Sequence, residues 1–110
     1  LHELLKDFYG DLGAKIDLLA ERNLALGKPS DGRPNSVAAN AGIPAAPTGF
    51  QKDHDVIITL TLQVLTVSNN LEKSIEAVGS DEVVTQDLLI DIRATVDLYL
   101  WKSRSCSYDL

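Results

Sequence analysis

The sequence predicts an all-α fold built from three long amphipathic helices that belong to a four-helix bundle. Two features of the pattern predict it. Apolar residues recur at alternating three- and four-residue spacing over three segments, and turn formers collect almost entirely between the first segment and the other two. Residues 27–50, GKPSDGRPNSVAANAGIPAAPTGF, hold all four prolines and four of the seven glycines. With 110 residues, 45% hydrophobic and 24% charged, the chain has the length and composition of one globular domain spanning residues 1–110.

The first segment runs from Leu1 to Leu26, with Leu1, Leu4, Leu5, Phe8, Leu12, Ile16 and Leu19 on helical spacing. Gly27 followed by Pro29 supplies the stop. Gly10 and Gly13 lie inside this pattern and each cost about 1 kcal/mol relative to alanine, so they call for a reason. The connection 27–50 is expected to be a long loop with one helical turn at Ser36 to Asn40.

The second segment, about Lys52 to Val78, carries two periodicities. Val56, Ile58, Leu60, Leu62 and Val64 alternate with Thr59, Thr61 and Gln63 as in a half-buried strand, whereas Ile57, Leu60, Val64, Val67, Leu71, Ile75 and Val78 follow a helix. The helical pattern continues to Gly79 with no turn residue, far beyond the length of an ordinary strand, so helix is predicted, with Asp53 or Asp55 as its cap. The third segment is expected to start at Ser80 as N-cap and to run to about Arg104 on Val84, Leu88, Ile92, Val96 and Tyr99. The short Gly79-Ser80 link makes an antiparallel αα-hairpin of the last two helices. A sequence that begins at Leu1 and contains no Met is read as an N-terminally truncated bundle lacking its first helix.

A net charge of −6 opposes binding to nucleic acid through the overall field of the domain. No apolar run is long enough for a membrane span, and no secretory signal opens the chain. A single cysteine, Cys106, fits a reducing compartment and a cytoplasmic location. No nucleophile-and-base constellation stands out, and Gly27-Lys28-Pro29-Ser30 lacks the upstream glycine and following helix of a phosphate loop.

The polar face of the first helix carries the chemistry. With His2 at zero and 100° per residue, Lys6 falls at about 40°, Gly10 at about 80°, Gly13 at about 20°, Asp17 at about 60° and Glu21 at about 100°. Leu1, Phe8, Leu12 and Leu19 point the other way, so the helix has a core face and a separate second contact face. Asp17 and Glu21 are one turn apart and able to share a cation, but His2 lies 15 residues from Asp17, roughly 22 Å along the axis. Two antiparallel copies related by a two-fold axis bring the imidazole of one to the carboxylates of the other. The axis then crosses near residues 10 to 12, where Gly10 and Gly13 allow close backbone approach.

The run LHELLKDFYGDLGAKIDLLAERNLALG resembles the second helix of the Dps mini-ferritins, in which a histidine is followed by acidic ligands and then D-x-x-x-E-R; His2, Asp17, Glu21 and Arg22 match in type and spacing. Asp53-His54 at the start of the next long helix, and Asp87-Leu88-Leu89-Ile90-Asp91 with Trp101 in the last, are also similar to this family. The resemblance implies a ferritin-like four-helix bundle, two-fold dimers assembled into a hollow dodecamer, and dinuclear-type centres at the two-fold interfaces. There Fe(II) is oxidised by hydrogen peroxide or oxygen and stored as ferric iron, protecting against oxidative stress. The metal ligands it implies are His2 of one subunit and Asp17 and Glu21 of its neighbour, a mixed imidazole and carboxylate set that suits iron.

One position departs from the family pattern: Lys6 stands where an acidic ligand follows the histidine by four residues. An ammonium there opposes metal binding or pairs with Asp17 or Glu21 across the dyad. Two other readings therefore stand beside the ferroxidase, a ferritin-like shell subunit whose metal site is silenced by Lys6 and a helical interaction module without metal chemistry. Nucleoid association rests on the resemblance alone, and these residues contain no Lys-rich tail to support DNA binding.

Overall fold

The computed structural model describes residues 1–108 and contains helix α1 (His2–Ala25), a short helix α2 (Pro34–Asn40), helix α3 (Asp53–Val78), a 3-10 turn (Gly79–Glu82) and helix α4 (Val83–Tyr108). The chain is all-α, and its three long helices form a ferritin-like bundle.

Helix α1 ends where expected and for a definable reason. Gly27 adopts φ +78°, its N–H donates to the Leu24 carbonyl at 2.9 Å, and the Lys28 N–H donates to the Asn23 carbonyl at 2.8 Å. This pair of bonds satisfies carbonyls left free by the last turn, and the left-handed residue that makes them possible favours glycine. In α3 the helical periodicity prevails over the alternation of residues 56–64. Ile57 and Val64 are buried while Ile58 and Leu62, which a strand would have placed on the same face as Val64, are exposed.

Three expectations require correction. Lys52, not Asp53 or Asp55, holds the cap position of α3, and the two aspartates lie in the first turn, where they act on the helix dipole. Ser80 is not an N-cap: Gly79 turns the chain at φ +57°, residues 79–82 continue as a 3-10 turn, and α4 begins at Val83 with no break to extended backbone. Val84 is 58% exposed, while Leu89 and Leu100 join the core instead.

The polar pairs fix the topology. Asp11, Lys15 and Arg22 of α1 meet Tyr99, Asp91 and Thr85 of α4 in descending order, so these helices are antiparallel. Ser68 and Glu72 of α3 meet Asp97 and Arg93 of α4 in the same sense. Helices α1 and α3 are therefore parallel, and residues 26–52 return the chain along the bundle, a single long crossover of the kind that marks ferritin-like bundles. The core lies between the three helices, with Val64, Ile92, Val96 and Leu100 buried and Phe8, Leu12, Leu19 and Leu60 packed against them. Each such buried side chain contributes about 1.5–3 kcal/mol.

Candidate functional site

Helix α1 contains no buried residue. Phe8, Leu12 and Leu19 lean on the core, and the opposite side of the helix faces outward. His2, Asp17 and Glu21, the three candidate ligands, are all exposed on that outward side, and Lys6 is exposed with them. None of the four makes a side-chain hydrogen bond or ion pair among the described residues, whereas Asp91, Glu82, Glu72 and Asp97 are all engaged by basic side chains.

The helix is continuous from His2 to Ala25, which sets the geometry. Asp17 and Glu21 are four residues apart, about 6 Å along the axis and offset by about 40°. They can present two carboxylates to one cation. His2 remains roughly 22 Å from Asp17 along the same helix. The chain thus brings two of the three candidate ligands together and keeps the third apart, and among the described residues no group of three His, Cys, Asp or Glu surrounds a common point.

The two helical glycines have no cause inside the protomer. A Cβ added at Gly10 or Gly13 meets nothing within 4 Å, and neither residue has a positive φ. Large apolar side chains flank the same outward band, with Tyr9 85%, Ile16 59% and Leu24 64% exposed. Their angular positions on the helix, about 340°, 320° and 40°, bracket His2 and Gly13. This face combines small residues, apolar side chains and uncommitted charges.

The position of this face is set by α4. Arg22 donates from Nε to Thr85 Oγ1 at 2.9 Å and from Nη2 to Glu82 Oε2 at 2.8 Å, tying the end of α1 to the start of α4. Lys15 pairs with Asp91, and the Tyr99 hydroxyl donates to Asp11. That carboxylate, with burial and the charges of Asp11 and Asp7 adding to it, pushes the Tyr99 phenol up to about 12. The Tyr99 ring stacks on Phe8 with centroids 4.5 Å apart, and Lys102 Nζ lies 5.0 Å from its centroid. Sequence reading assigned no role to these ties, although Asp11, Lys15 and Arg22 at about 180°, 220° and 200° trace one edge of the core stripe. Arg22 is thus a positioning residue one step from Glu21. Ser68 is nearly fully buried and donates to Asp97, with Arg93 bridging Asp97 and Glu72, so the α3–α4 seam has its own polar clamp.

The remaining singled-out residues lie elsewhere. His54 is exposed in the first turn of α3, Cys106 is a half-buried free thiol, Asp91 is committed to Lys15, and Trp101 is 63% exposed on α4. No described helix is long and apolar enough to cross a membrane.

The chain is similar to several proteins of known family. It is 34% identical over 105 residues to DNA protection during starvation protein 2 of Deinococcus radiodurans, an alignment covering 96% of this chain and 44% of that protein. It is 30% identical over 105 residues to the DNA protection during starvation protein of Listeria monocytogenes, covering 92% of this chain and 66% of the relative. The protein of the same name from Agrobacterium fabrum is 32% identical over 104 residues, with 92% and 63% covered. The crystal structure of Dps92 from Deinococcus radiodurans matches with a TM-score of 0.91 and 34% identity over 94% of this chain and 63% of that one. No family model matches the sequence. The chain spans between 44% and 66% of the length of these relatives.

Proposed function

The chain belongs to the Dps family of mini-ferritins, and from that premise we propose that it oxidises and sequesters Fe(II) at sites formed between two-fold related copies of α1. Ferrous iron is the substrate, held by His2 of one copy and by Asp17 and Glu21 of the other. The observation that carries this reading is the outward face of α1, where two uncommitted carboxylates share a band with His2 and with two glycines that nothing in the protomer requires.

The chemistry follows from the donor set. An imidazole nitrogen with two carboxylates binds ferrous iron and favours the ferric state through its negative charge. Each Fe(II) yields one electron and hydrogen peroxide accepts two. Two ferrous ions held together at one such centre would, with two protons, convert one peroxide to two waters and leave two ferric ions, without releasing a radical. The role of the protein is to bring ligands from two chains to one point and to hold them there, which the α1–α4 ties accomplish by fixing the pitch and rotation of α1. Assembly of such dimers into a closed shell gives the ferric product a place to accumulate. Residues 1–110 carry net charge −6, so the protection they offer is removal of iron and peroxide rather than contact with phosphate.

A second reading is a shell subunit whose centre is silent, and the exposed Lys6 among the ligands favours it. Peroxide-dependent Fe(II) oxidation, followed by ferric absorbance on the assembled protein, decides between them. A rate that collapses to background in Asp17→Ala/Glu21→Ala while assembly persists supports the ferroxidase. A wild-type rate already at background supports the silent shell.

A further inference from the structure

The two-fold contact has a register, and the register gives Lys6 a place. In an antiparallel pair of identical helices, residue i faces residue j and j faces i, so i + j is constant along the contact. The outward band of α1 reads His2, Lys6, Gly10, then Gly13, Asp17, Glu21, two runs with four-residue steps. One constant, 23, pairs Gly10 with Gly13, Lys6 with Asp17 and His2 with Glu21 simultaneously. A slip of one turn either way destroys the set. A constant of 19 leaves Lys6 against Gly13 and carries Glu21 past the end of the partner helix. A constant of 27 sets His2 against Ala25 and lays Asp17 over Gly10. Only the first register places the two residues without side chains opposite each other at the crossing, where backbones come closest.

We propose that in the metal-free dimer the Lys6 ammonium of each protomer is ion-paired with Asp17 of the other, so that metal enters the site by displacing a tethered cation. The inference rests on the two-fold reading of the site given above. Three features of the protomer support it: α1 is one continuous helix through all six positions, Lys6 and Asp17 are both exposed, and neither has a partner among the described residues. Within one chain they lie roughly 16 Å apart along the axis and cannot meet. Besides the imidazole, each centre then carries two carboxylates and one ammonium, which sum to −1. The protein holds its own substitute for the incoming ion, and the affinity for a divalent metal is set by the competition. Loss of the ammonium raises that affinity by about tenfold or more, since one charge a few ångströms away is removed.

Zero-length carbodiimide coupling tests the contact on the wild-type protein without activity as the readout. Unlabelled and 15N-labelled protein are unfolded together in urea, refolded as a mixture, coupled without metal and analysed by mass spectrometry. The expected product is an amide between Lys6 of one isotope and Asp17 of the other, suppressed by added Zn(II). The intrachain Lys15–Asp91 pair is the internal standard, since it couples whether or not dimers form. If native mass spectra show no mixed dimers, the two-fold reading itself fails. If mixed dimers form and Lys15–Asp91 couples, absence of the Lys6–Asp17 amide, or indifference of that amide to Zn(II), overturns the tethered-cation inference alone. Zn(II) titration of Lys6→Gln gives a second measure: binding at least about tenfold tighter is expected, and unchanged affinity overturns it.

Discussion

Replacing both helical glycines separates what α1 does within the protomer from what it does between protomers, because the two effects have opposite sign. In the isolated chain a Cβ at position 10 or 13 meets no atom within 4 Å, so Gly10→Ala and Gly13→Ala introduce no clash. Each removes the backbone entropy penalty of a glycine within an exposed helix, about 1 kcal/mol, and the pair stabilises the protomer by about 2 kcal/mol. With a urea m-value of about 1–3 kcal/mol/M for a chain of this size, the unfolding midpoint rises by about 1 M. In the proposed dimer the same methyl groups would lie between two backbones, four of them at one crossing, and the helices would have to separate to admit them. We expect the dimer to weaken by at least about tenfold, or 1.4 kcal/mol. Urea unfolding at concentrations where the chain is monomeric reads the first effect, and sedimentation velocity across a dilution series reads the second. A double variant that is stabilised as a monomer and dimerises as tightly as wild type would refute the close crossing, and with it the pairing of His2 with the carboxylates of a neighbour.

Two further outcomes follow from the α1–α4 ties. Arg22→Ala removes both donors to Thr85 and Glu82 from a partly buried side chain and is expected to cost about 1–2 kcal/mol in urea unfolding; Arg22→Lys does not restore the loss, because an ammonium cannot reproduce the fork that serves two acceptors. Tyr99 has its phenol raised to about 12 from an ordinary value of 10, so its contribution to stability is complete below pH 10 and is lost as pH rises through 12. Phenolate absorbance should show a late ionisation step near pH 12. Tyr99→Phe abolishes this late step, and its persistence in that variant would refute the assignment.

Much of the fold was legible because one signal dominates each element. The end of α1 was readable in Gly27, where only a left-handed residue closes the last turn. Helix α3 was readable despite its strand-like half because its helical periodicity runs through twenty-six residues with no glycine or proline, far beyond the length of an ordinary strand. The start of α4 was not, since the choice between a capped start at Ser80 and a 3-10 turn to Val83 depends on how tightly α3 and α4 approach, and Gly79 sets that through its own φ. Val84 shows the same limit: it lies on helical spacing with the core residues, yet the turn before it leaves it facing solvent. The candidate site was legible as a face and not as a centre. Residue spacing puts Asp17 beside Glu21, but the imidazole of His2 lies roughly 22 Å away on the same helix, so the proposed set needs a second chain. The clamps of Asp11 with Tyr99 and Ser68 with Asp97 were illegible for a related reason, because they join residues 88 and 29 positions apart whose axial heights are known only once the helices are aligned.

The absence of any fully covered residue on α1 has a consequence for when the chemistry begins. Under the proposed function, an unassociated copy presents only a half-set of ligands on its most weakly anchored rod, and a ferrous ion meeting it finds no complete set in which to react. On that reading the hazardous meeting of iron with peroxide is deferred until two copies have joined, and quaternary assembly is the safety catch.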